Sequence, residues 1–138
     1  MKITPYLNFP GTCAEAFKFY AETLGGEITF MQTHGESPMK DMFGPEWKDK
    51  IMHATLQVGD HEIAGSDAPL HMFAKPAGFM VTINPKAPED ARRIYAAFAE
   101  GGEVKMELQE TFWTPLFAMV TDRYGTPWMI SLEADMPK

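Results

Sequence analysis

Apolar positions in this chain fall into short blocks separated by glycine- and proline-bearing breaks, and the spacing within each block identifies its element. Ile3 to Phe9 alternates apolar and polar residues, which predicts a strand. Pro10-Gly11-Thr12 interrupts it, and Thr12 with Glu15 three residues on makes a capping box for a helix. That helix runs through Ala16, Phe17, Phe19, Tyr20 and Leu24 and closes at Gly25-Gly26. Glu27 to Thr33 is a second strand, and the polar stretch Gly35 to Asp49, with Pro38, Gly44 and Pro45, is a long loop. Ile51 to Val58 and His61 to Gly65 are two strands joined by the Gly59-Asp60 hairpin turn. Ser66 to Pro76 is a linker.

The order then begins again. Gly78 to Asn84 is a strand, Pro85-Lys86-Ala87-Pro88 breaks it, and Glu89 to Glu100 is a helix. Its apolar face is Ala91, Ile94, Tyr95 and Phe98, and Gly101-Gly102 closes it. Glu103 to Thr111 is a strand. The stretch from Trp113 to Ile130 is an aromatic hairpin around the turn Asp122-Arg123-Tyr124-Gly125, in which Asp favours the bend and Gly supplies a positive φ. Strand, helix ending in Gly-Gly, strand and hairpin thus occur twice, with the midpoint near residue 74. The pattern predicts an α+β fold of two βαβββ modules, about residues 1–72 and 73–138, within a single domain.

Composition narrows the partners. With 12 basic residues against 19 acidic ones, net charge −7, the chain has no surplus of cations for phosphates, which excludes nucleic acid as the expected partner. Membrane-surface binding is disfavoured on the same ground, and no apolar run approaches the ~20 residues that span a bilayer. The N-terminus lacks the features of a signal peptide, and the single cysteine, Cys13, has no partner for an internal disulfide; both point to the cytoplasm. Cys13 sits near a helix start, where a thiol's pKa tends to fall, but no histidine is near in sequence, and a small buried cysteine is the expectation. Eleven methionines fit either a Met-tolerant core or a soft apolar cavity.

Several motifs resemble the glyoxalase/bleomycin resistance/dioxygenase (vicinal oxygen chelate) superfamily, and within it the PhnB-like branch, also labelled 3-demethylubiquinone-9 3-methyltransferase-like. They are Pro5-Tyr6-Leu7-Asn8-Phe9, Ala14-Glu15-Ala16 with Phe19-Tyr20, Ser66-Asp67, and Trp113…Phe117 followed by Asp122-Arg123-Tyr124-Gly125 and Trp128-Met129-Ile130. Branch members usually carry glycines where this chain has Thr114 and Ala118, so the strand after Trp113 is expected to start later or bulge. The resemblance implies a cupped mixed sheet around a central cavity and a homodimer. Methyl transfer is discounted, because Gly25-Gly26 and Gly101-Gly102 follow helices rather than opening them as a nucleotide-type glycine turn would.

Enzymes of the superfamily hold a divalent metal with His, Glu or Gln side chains from four strands. Here the corresponding positions fall at Thr4 or Pro5, at Gly78, Phe79 or Met80, and at Trp128, Met129 or Ile130, with His61 and Glu62 the candidates on the fourth strand. No metal and no cofactor are therefore expected. His34, His53, His61 and His71 are expected to face solvent, with His53 and His61 as cross-strand neighbours about the Gly59-Asp60 turn. The expected function is binding of a small apolar or aromatic molecule in the sheet cavity, with Tyr6, Asn8, Trp113, Phe117 and Trp128 as candidate contacts. The alternatives are a metal-dependent enzyme of lyase, isomerase or dioxygenase type with non-standard ligands, and a structural dimerisation module.

Overall fold

The computed structural model describes residues 1–134. The chain divides into two compact units, Met1–Ala74 and Lys75–Lys138. In the first, β1 (Tyr6–Phe9), α1 (Cys13–Leu24), β2 (Glu27–Thr33), β3 (Ile51–Val58) and β4 (His61–Asp67) follow in sequence, with a single 3₁₀ turn at Pro45–Trp47. In the second they are β5 (Val81–Ile83), α2 (Pro88–Ala99), β6 (Glu103–Gln109), β7 (Phe117–Thr121) and β8 (Pro127–Ser131). Each unit folds its four strands into one mixed sheet, ordered β1-β4-β3-β2 and β5-β8-β7-β6. This is the α+β architecture of two βαβββ modules.

In each sheet the short first strand lies parallel to the last, Tyr6 beside Ala64 and Val81 beside Trp128, while the other pairs are antiparallel. The helix between the first and second strands covers one face. Residues Cys13, Ala16, Phe17, Tyr20 and Thr23 of α1 recur at helical spacing and are buried. Leu7 and Phe9 of β1 meet them, with Phe9 edge-on to Phe17 at 6.1 Å between ring centres. In α2 the buried stripe is Ala91, Ile94 and Phe98. Each such ring taken fully from water contributes roughly 1.5–3 kcal/mol, so these stripes account for why the helices form here.

The two Gly-Gly pairs have a common physical cause. Gly25 and Gly101 adopt φ of 69° and 71°, the left-handed turn that ends a helix without a Cβ clash. Their successors start the next strand against a neighbouring backbone: a Cβ on Gly26 would lie 2.7 Å from the Gln57 carbonyl, and one on Gly102 would collide with the Thr121 carbonyl.

Several boundaries differ from the sequence reading. β1 begins at Tyr6 rather than Ile3, β5 spans Val81–Ile83 rather than 78–84, and β6 stops at Gln109. β4 continues through Ser66 and Asp67, because these residues pair with Asn8 and Phe9 of β1. The capping box does not form. Thr12 makes no side-chain cap; Asp67 Oδ1 instead accepts the backbone N–H groups of Gly11 and Cys13 at 3.1 and 2.9 Å. A carboxylate from a distant strand does the work expected of a local hydroxyl.

Candidate functional site

Alternation places Tyr6 and Asn8 on the face of the first sheet away from α1, while Leu7 and Phe9 face the helix. Tyr6 is 48% exposed. Its hydroxyl lies 3.1 Å from His53 Nδ1 on β3, and the two rings stack at 5.7 Å with 21° between planes. Phe30 of β2, 47% exposed, continues the row 5.9 Å from the His53 ring. Ser66 donates to Asn8 Oδ1 at 3.3 Å, and Thr29 bonds Thr55 at 2.7 Å. The uncovered face of the first module is therefore an aromatic row, Tyr6–His53–Phe30, bordered by paired hydroxyl and amide groups.

On the second sheet, Phe117, Met119 and Met129 share the face away from α2, with Met119 opposite Met129 across the β7–β8 ladder. The Phe117 ring is buried beneath Trp113, edge to face at 5.1 Å, and Trp113 in turn meets Phe112 at 4.8 Å. Trp113 precedes β7, which starts at Phe117 as the Thr114 and Ala118 departures imply. Thr114 is buried and its hydroxyl donates to the Leu132 carbonyl at 2.8 Å, so it ties the segment before β7 to the chain after β8.

Trp128 is the correction to the candidate contacts. It is fully buried on the helix side, stacked on Phe98 of α2 at 4.7 Å, and its Nε1–H donates to Asp122 Oδ2 at 2.7 Å. The one-residue alternation of β8 puts Met129, not Trp128, on the uncovered face. Asp122 does the turn work expected of it, its Oδ1 accepting from Tyr124 N at 2.8 Å and Thr126 N at 3.1 Å. Arg123 is exposed, its guanidinium carbon 5.9 Å from the centre of the Tyr124 ring.

The histidines also depart from expectation. His53 lies opposite Gln32 of β2, and His61 opposite Val58, so the two are not cross-strand neighbours. His34 is 5% exposed, not solvent-facing; its ring packs against Phe43 at 5.3 Å and Trp47 at 6.5 Å, and among the described residues neither ring nitrogen has a hydrogen-bond partner. Burial holds this imidazole below its ordinary pKa of 6.5, against an opposing pull from the Asp67 carboxylate. A folded-state pKa below the unfolded one means the unfolded chain binds the proton more tightly. The stability His34 contributes is thus complete above the unfolded value and declines as pH falls from there towards the folded value. The urea midpoint is expected to be lower at about pH 5.5 than at about pH 7.5, with the difference reduced in His34→Phe; an equal difference in the variant rejects this assignment.

Cys13 is fully buried, and its thiol is pushed well above the ordinary range by burial and then by the Asp67 carboxylate. These outweigh the helix start, so the thiol is inert packing.

The uncovered-face residue at the centre of β8 is Met129, whose sulfur accepts the Thr82 hydroxyl of β5 at 3.6 Å. Glu62 of β4 is engaged by Lys2 at 2.9 Å. Among the described residues no group of three or more His, Cys, Asp or Glu side chains is arranged to hold an ion. Nor, among them, is any helix long and apolar enough to cross a membrane.

Comparison with known proteins rests on the same modules. The model of the Glyoxalase/Bleomycin resistance protein/Dioxygenase superfamily matches residues 2–130. The chain belongs to that superfamily. It is 33% identical to Protein YjdN of Escherichia coli (strain K12), covering 99% of both chains. It is 41% identical to the crystal structure of protein PA1353 from Pseudomonas aeruginosa, with a TM-score of 0.88 over 98% of this chain and 99% of that one. A structure titled as a putative 3-demethylubiquinone-9 3-methyltransferase, PhnB protein, from Bacillus cereus shares the fold, at 24% identity and a TM-score of 0.82 over 96% of this chain and 100% of that one.

The residues that sequence reasoning missed are His53 as the partner of Tyr6, Phe30 as the ring on the other side of His53, and Asp67 as a helix cap. The Tyr6–His53–Phe30 row had no local signal, since its rings come from three strands and meet only through the pairing of the sheet. The cap had no local signal, since Asp67 lies more than fifty residues from the Gly11 and Cys13 N–H groups that it caps.

Proposed function

We propose that this protein binds a small apolar or aromatic molecule on an uncovered sheet face, without a bound metal. The observation that carries the reading is the row Tyr6–His53–Phe30, in which two of the rings are nearly half exposed on a face that α1 does not cover. Rings presented from strands offer large contact area with few rotors to immobilise, which favours flat apolar ligands. The Trp113–Phe117 pair and Met119 and Met129 give the second module a similarly apolar uncovered face. The donor set described above supports the metal-free form of the reading over a metal-dependent enzyme.

Equilibrium dialysis against β-ethylnaphthalene in chelator-treated buffer tests it. The protein is expected to take up about one equivalent per chain, and Phe30→Ser to bind about tenfold more weakly, a loss on the scale of part of one buried ring. No uptake by the wild type, uptake that needs added metal, or about one equivalent of dialysis-resistant Zn, Mn, Fe or Ni by elemental analysis rejects the reading.

A further inference from the structure

We propose that His53 selects the ligand of this face: a flat aromatic compound bearing a hydrogen-bond acceptor, such as an aryl carbonyl, which His53 Nε2–H recognises. The inference rests on the binding proposed above and adds which polar group the ligand must carry.

The chemistry starts from the Tyr6–His53 contact. A phenol is a better donor than acceptor, because its oxygen lone pair is drawn into the ring, whereas an unprotonated imidazole nitrogen holds its lone pair in the ring plane. At 3.1 Å the Tyr6 hydroxyl therefore donates to His53 Nδ1. A neutral imidazole that accepts at Nδ1 must carry its proton at Nε2, so the tyrosine fixes the tautomer. Tyr6 thereby turns an ambiguous ring into a one-way donor.

Position makes that donor useful. His53 stands in the middle of the row, stacked with Tyr6 on one side and inclined to Phe30 at 48° on the other. It is partly exposed, and its Nε2 has no hydrogen-bond partner in the described structure. A ligand lying on the three rings meets one N–H donor flanked by apolar surface. An acceptor on the ligand pairs with it, whereas a hydrocarbon of the same shape strips water from the N–H without replacing the bond.

The test uses two probes of nearly equal shape, β-acetonaphthone and β-ethylnaphthalene, with wild type and His53→Phe, which keeps an aromatic ring and removes the N–H. The variant is expected to bind β-acetonaphthone about five- to tenfold more weakly than wild type and β-ethylnaphthalene more tightly, because the unsatisfied N–H is gone. Nitrogen-detected NMR of the wild type is expected to show the His53 proton on Nε2, and Tyr6→Phe to shift that tautomer. If the variant binds both probes as wild type does, or weakens both equally, the assignment of His53 is overturned while the proposed binding stands. A proton on Nδ1 overturns it as well. Failure of the wild type to take up either probe overturns the binding reading itself, and this inference with it.

Discussion

Trp128→Ala is expected to lower the stability of the fold by about 3–5 kcal/mol, the range for truncating a fully buried aromatic in a packed core. The indole is the largest fully buried side chain among the described residues, stacks on Phe98, and donates to Asp122 at 2.7 Å. Truncation opens a cavity beneath α2 and removes one donor from a buried carboxylate that also holds the hairpin turn. Trp128→Phe separates the two effects. It keeps a ring against Phe98 and loses the N–H, and is expected to cost about 1–2 kcal/mol. Urea denaturation of both variants measures this. A Trp128→Ala midpoint close to that of wild type, together with weakened probe binding, would return the tryptophan to the ligand face.

Asp67→Ala is expected to cost a similar amount, about 3–5 kcal/mol, since each buried donor left unsatisfied costs ~1–3 kcal/mol. Asp67 is 5% exposed and accepts three backbone N–H groups: Gly11 and Cys13 at the start of α1 through one oxygen, and Ile51 at the start of β3, 2.8 Å from the other. One carboxylate thus joins β4, α1 and β3. Asp67→Asn keeps one accepting oxygen and presents an amide N–H₂ to the donors of the other, so it is expected to fall between wild type and alanine. Thermal unfolding reads all three. An alanine variant melting within about 2 °C of wild type would show that water replaces the carboxylate at no cost.

The two aspartates bear on how much of this protein its sequence makes legible. Asp122 was readable because its partners lie two to six residues away and an Asp-x-x-Gly turn is a local device. Asp67 was readable only as part of a motif. Its partners lie as far as fifty-six residues away in the chain, and no local pattern encodes a cap supplied by another strand. The capping box at Thr12 and Glu15 was a sound local rule overridden by a stronger acceptor.

The candidate contacts divide in the same way. Tyr6 and Asn8 against Leu7 and Phe9 follow from alternation in one strand, and the structure places them on opposite faces as that alternation requires. Trp128 fails the same logic by one residue. In Trp128-Met129-Ile130 all three side chains are apolar, so the pattern does not say which parity faces the helix. Phe98 decides it, by stacking on the tryptophan.

By itself the sequence determined the class of fold, the doubled order of elements, the Gly-Gly helix ends and the family, because each depends on periodicity or on turn chemistry within a few residues. Tertiary structure alone decided which face Trp128 takes, that the buried His34 ring has no hydrogen-bond partner among the described residues, that Asp67 caps α1, and that Tyr6 bonds His53. Those contacts join residues separated by many positions or rest on the register between strands. A one-residue shift of register exchanges the two faces of a strand while leaving its composition unchanged.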